Sequence, residues 1–65
     1  MNVRYFSDSD TLLINFSDRQ IAQTQDLGEN ALVEMDAEGR LVSMTIEHAK
    51  QQMNVTEFSY QLAAG

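Results

Sequence analysis

The sequence predicts an α+β domain, mainly β: a small antiparallel β-meander with one short helix near the C-terminal end. Three observations carry this reading. From Leu32 to Glu47, two runs of β-branched and aliphatic residues flank Asp36-Ala37-Glu38-Gly39, a tight turn with glycine in its last position. Upstream, Thr11 to Phe16 alternates at period two behind a second acidic turn. Downstream, Glu47 to Met53 holds good helix formers and no breaker.

Taken in order, Val3-Arg4-Tyr5-Phe6 is short, β-branched and aromatic, and predicts a strand. Ser7 to Asp10 predicts a turn, because Asp and Ser side chains bond backbone groups two residues on. In the next strand, Leu12, Ile14 and Phe16 share one face, and Leu13 and Asn15 the other. Ile21 to Gln25 alternates but is mostly polar, as an edge strand facing water is.

Ala31 to Met35 is the following strand. Asp36 to Gly39 suits a type I turn with a left-handed glycine and a bulge. Arg40 to Glu47 returns, with Val42, Met44 and Ile46 on one face. A helix of about two turns follows over 48–53, ending at Asn54 as a left-handed cap. Val55 to Leu62 alternates again and is read as a last strand covering the sheet. Continuation of the helix is the alternative. The clustered Val, Thr, Phe and Tyr favour the strand.

A faint repeat aligns Asp8–Ile14 with Asp36–Val42, each an acidic turn leading into an aliphatic run. It predicts two similar hairpins lying side by side.

At 65 residues the chain is one domain, and a core this small is marginal. It has no Cys and one His, which excludes disulfides, thiolate zinc sites and a cysteine nucleophile. Self-association or a partner is therefore the expected extra source of stability. The formal charge is −6, from ten acids against four bases. Such a surface repels phosphate backbones and anionic headgroups and attracts a basic partner. No apolar run approaches the roughly 20 residues a membrane span needs, and no signal peptide is visible. The expectation is a cytoplasmic protein binding neither nucleic acid nor membrane.

The candidate chemistry is thin. A calcium loop started at Asp8 places its third ligand on Leu12, and one started at Asp36 places it on Arg40. Both fail the oxygen-ligand pattern, so no metal site is expected. Asp8 with Asp10, and Asp36 with Glu38, are paired carboxylates at exposed hairpin tips. They lack the dry pocket that acid–base work requires. His48 has no orienting partner in the sequence, and no serine sits in a nucleophile elbow. No catalytic residue and no cofactor are expected. Leu13 and Leu41 point away from the apolar face of their own strands, and with Phe58 and Tyr60 they are the candidate interface residues.

These features are similar to a known family. Tyr5, Asp8, Asp10, Leu12 and Ile14, then Asp36, Glu38, Gly39, Val42, Met44, Ile46, Ala49 and Lys50, fit its two halves. Over about residues 5–50 the chain resembles the small bacterial domains of domain-of-unknown-function family 2283. It departs at Leu13, where the family has an aromatic, at Ser43, where glycine is common, and at Thr45, in place of glutamate. The resemblance brings no activity and no catalytic residue. It implies an antitoxin-like subunit masking a basic ribonuclease-type partner. The competing reading is a stand-alone homo-oligomeric structural protein.

Overall fold

The computed structural model describes residues 1–57 and 59–63. Five strands, β1 (Asn2–Phe6), β2 (Thr11–Asn15), β3 (Gln23–Asp26), β4 (Ala31–Met35) and β5 (Leu41–Glu47), precede one short helix, α1 (Ala49–Gln52). They form one antiparallel sheet in the order β1-β2-β5-β4-β3. The antiparallel sheet, its β predominance and the short helix are as the sequence predicts.

The two hairpins do lie side by side, but they join through β2 and β5 rather than in chain order. Leu12 lies opposite Ile46, and Ile14 opposite Met44. The two strands richest in inward-facing aliphatic residues therefore hold the centre. Polar β3, exposed at all four positions, goes to an edge. Residues 16–22 make the crossing around the turn end of the β4–β5 hairpin. Phe16 and Ser17 donate their N–H groups to the Val42 carbonyl, and the Ala22 N–H reaches the Met35 carbonyl.

The core sits on one face only. Leu12, Ile14, Ile46 and Ala49 form its buried centre, with Val3, Tyr5, Phe16, Met44, Met53 and Val55 packed against them. The helix contributes Ala49, whose side chain is fully buried. The opposite face of the sheet carries no layer among the described residues.

Four expectations need correction. Val55 to Leu62 forms no strand among its described residues, and Phe58 lies outside them. The Asn54 side chain accepts hydrogen bonds from the Thr56 N–H and Thr56 Oγ1, so a local turn wins over a sheet ladder. Asn54 is not the left-handed residue of the helix; His48, at the other end, is, with φ of 53°. β5 does not alternate strictly. Glu34 faces Ser43 but Met35 faces Leu41, so Val42 is an extra residue, and both Val42 and Ser43 are buried. This bulge resets the alternation. Leu41 consequently shares the side of Met35, not the face of Leu13, and the two leucines are not brought together.

The core is small enough for one residue to test it. Leu12→Ala should lower unfolding free energy by about 2–5 kcal/mol in a denaturant titration. Leu41→Ala, at a half-exposed position, should stay within about 0.5 kcal/mol. Equal effects would mean that the core extends to the turn end of the sheet, over Leu41.

Candidate functional site

Two aspartates organise the ends of the sheet. Asp36 opens the β4–β5 turn. Gly39 closes that turn with φ of 82°, its N–H donating to the Asp36 carbonyl at 3.1 Å. The Asp36 Oδ1 atom accepts the N–H groups of Glu38 and Arg40, each at 2.9 Å. Its Oδ2 atom meets Nε of both Arg40 and Arg19 at 2.8 Å. Arg19 also donates to the Leu41 carbonyl at 3.0 Å, which ties the crossing segment to the hairpin it passes.

Asp36 is thus buried, at 5% exposure, and not at an exposed tip as the sequence suggests. Burial pushes its carboxyl up, but the Arg40 and Glu38 amides and the Arg40 guanidinium together outweigh that and hold it below the usual value of 3.8. A carboxylate locked in its charged form with both oxygens occupied is a structural anchor, the reverse of a general acid.

Asp10, at the β1–β2 turn, is left-handed with φ of 54°, a conformation Asp tolerates. Its backbone carbonyl accepts the Ala49 N–H at 3.0 Å. Its Oδ1 accepts the Lys50 N–H at 3.1 Å and the Tyr5 hydroxyl at 2.7 Å. His48 gives α1 no side-chain cap. Asp10 caps the helix instead, from the far end of the chain. The hydrogen bond to Asp10 pushes the Tyr5 phenol up to about 12, and the same bond is the chief cause lowering the Asp10 carboxyl.

His48 itself is exposed, with Nδ1 2.8 Å from Oδ1 of Asn30, and meets no nucleophile. Among the described residues no three His, Cys, Asp or Glu side chains cluster as metal ligands. No helix there is long and apolar enough to cross a membrane.

The uncovered sheet face is the remaining surface of interest. The register sets out three rows across it: Phe6, Thr11 and Glu47; Arg4, Leu13, Thr45, Leu32 and Asp26; and Asn2, Asn15, Ser43, Glu34 and Thr24. Phe6, Leu13 and Leu32 supply its apolar part. Glu34, Glu47 and Asp26 outnumber the single base, Arg4. A shallow depression of about 260 Å³ lies against Asn2, Arg4, Leu13 and Asn15.

Of the residues singled out in the sequence, Leu13 is on this face and half-buried, while Leu41 is elsewhere. Tyr60 is 75% exposed, and Phe58 is outside the described residues. Phe6 and Leu32 were missed. Phe6 reads as strand core from its neighbours, and only the pairing with Thr11 shows its direction.

A family model described as protein of unknown function (DUF2283) matches residues 2–50. No curated protein and no solved structure matches the chain. The three departures from the family pattern, Leu13, Ser43 and Thr45, all fall on the uncovered face.

The two aspartates and Tyr5 bound the stable pH range. Asp10 and Asp36 have folded values below 3.8, so their contribution is complete above that value and is lost as pH falls through the lower folded value. Tyr5 is raised from 10.0, so its contribution is complete below 10.0 and is lost as pH rises through about 12. Thermal melts across pH should show both limbs. Asp36→Asn should flatten the acid limb, and Tyr5→Phe should remove the alkaline one. An alkaline limb unchanged in Tyr5→Phe would exclude the Tyr5–Asp10 bond as its source.

Proposed function

The chain belongs to the DUF2283 family of proteins of unknown function, and we propose that this member is a non-catalytic protein-binding domain that presents its uncovered sheet face to a basic protein. The observation that carries the reading is the composition of that face. Phe6, Leu13 and Leu32 lie among three acids and one base, on a side of the sheet that no described element covers. Apolar contact area framed by one sign of charge suits docking of a partner of the opposite sign.

The whole-chain charge of −6 works in the same direction over longer range, raising the encounter rate with a basic protein. In its sharpest form the domain is an antitoxin-like subunit that masks a basic ribonuclease-type protein. An enzyme reading has less support. The depression beside Asp36 is lined by Arg19, Gln20, Ala37, Glu38 and Arg40, and both oxygens of the Asp36 carboxylate there are engaged, by its own turn and by Arg19.

The test is capture of a stoichiometric small basic protein from the native host, repeated with purified components at rising salt. Capture should weaken with salt, because exposed charge pairs are screened. Leu13→Asp and Leu32→Asp should abolish capture while the circular dichroism spectrum stays that of the folded chain. Leu41→Asp, on the other side of the bulge, should leave capture intact. Capture unchanged by both Leu13→Asp and Leu32→Asp would overturn the assignment to this face.

A further inference from the structure

We propose that β3 is a self-pairing edge, through which two copies of this chain join into one continuous antiparallel sheet centred on Gln25. This edge offers backbone groups at the sheet's rim, while the Thr24 and Asp26 side chains belong to the border of the uncovered face.

The starting point is which backbone groups of β3 point outward. The Leu27 N–H donates to the Ala31 carbonyl at 2.8 Å, and Asp26 lies opposite Leu32. In an antiparallel ladder hydrogen-bonded and non-hydrogen-bonded pairs alternate. Gln23, Gln25 and Leu27 therefore direct their N–H and C=O groups at β4. Thr24 and Asp26 direct theirs outward, where no described residue meets them.

Natural sheets blunt an edge by keeping it short or with charges, Pro or a bulge. Gln23-Thr24-Gln25-Asp26 is short but carries no Lys, Arg or Pro; Asp26 is its single charge, and all four side chains are exposed. The other edge, β1, carries Arg4 at its middle, where a symmetric self-pairing would set two guanidiniums opposite each other.

β3 is also complementary to itself in one register. A two-fold axis at Gln25 sets Thr24 opposite the second copy's Asp26, twice. Each such pair is a hydrogen-bonded pair, exchanging both backbone bonds. The side chains on that face are a hydroxyl and a carboxylate, which suit a charge-assisted hydrogen bond. The two Asp26 carboxylates are diagonal neighbours on that face, each drawn toward the Thr24 hydroxyl opposite it. On the other face the two Gln25 amides meet.

At either end of the strand stands an exposed apolar residue, Ile21 at 44% and Leu27 at 54%. In this register Leu27 of one copy lies opposite Gln23 of the other, the residue to which Ile21 leads. The pairing thus brings two side chains that the single chain leaves in water to the same end of the seam.

The experiment is a charge swap at the axis, read by sedimentation velocity on the full chain. The unmodified chain should be dimeric in the micromolar range. Gln25→Lys and Gln25→Glu should each be monomeric, since each places two like charges face to face. Their equimolar mixture should regain dimer mass, a rescue that a misfolded variant cannot give. A dimer that survives Gln25→Lys, a mixture that stays monomeric, or an unmodified chain that is monomeric at every concentration would each overturn the proposal. Leu13→Asp in the same assay should keep the dimer. Its dissociation would transfer self-association to the uncovered face and overturn the edge assignment.

Discussion

Remove the pairing of β2 with β5 and the chain falls into two pieces that cannot stand alone. One is a two-stranded hairpin, β1–β2, of a kind marginal in water. The other is a three-stranded meander, β3–β4–β5, ending in a polar edge. Only their junction sets Leu12 against Ile46 and Ile14 against Met44, and those side chains with Ala49 form the core cluster. The same junction carries the β1–β2 turn to the end of β5, where Asp10 meets the first amides of α1. The helix has four residues, far below the length at which helices persist on their own. It exists because the sheet beneath buries Ala49 and because Asp10 satisfies its open N–H groups.

Asp10 and Asp36 solve related problems by different means. Each sits at a turn, and each satisfies backbone amides that would otherwise be left without acceptors. Asp36 works within its own turn and adds Arg19 from the crossing segment, so it also holds the least regular part of the chain against the sheet. Asp10 works across the chain, and Tyr5 orders its carboxylate. In a domain with so little apolar area to bury, these anchors are a large share of what selects one arrangement over others. Their pKa directions follow from that use. A carboxylate committed to N–H and O–H donors stays ionised and does not exchange protons near neutrality.

What was legible in the sequence was local. The β4 limits and the Asp36–Gly39 turn follow from alternation and turn chemistry that act within a few residues. The side chain of Asp36 was read as exposed, although an Asp at the start of a type I turn can reach the amide two positions on, the signal that would have shown it engaged. The helix position was legible to within a residue or two. The join of β2 to β5, the Asp10 cap and the Val42 bulge were not. Each depends on residues far apart in the chain, or on a register change that leaves no mark on composition. The bulge has the sharpest consequence, because period-two counting along β5 assigns Leu41 to the wrong side. Val55 to Leu62 shows the reverse failure. Its alternation is real, but the Asn54 turn diverts the chain before any ladder forms.

The fold leaves two kinds of surface open, and they make different demands on a partner. The uncovered face offers apolar side chains framed by acids, so it selects by shape and by charge. The β3 edge offers backbone groups, which any extended strand can meet, so selectivity there must come from side-chain register. Gln25 at the centre with Thr24 and Asp26 beside it is a pattern that matches itself under a two-fold axis and fits a generic strand less well. The two surfaces meet at Thr24 and Asp26, whose side chains end the outer rows while their backbones form the rim. Pairing at the edge would therefore continue the uncovered face across two copies, with both Asp26 carboxylates at the seam, each accepting from a Thr24 hydroxyl. A basic partner would then meet two apolar patches, one per copy, with an acidic seam between them. Association with self and association with a partner are in this geometry compatible, the first shaping the surface that the second uses.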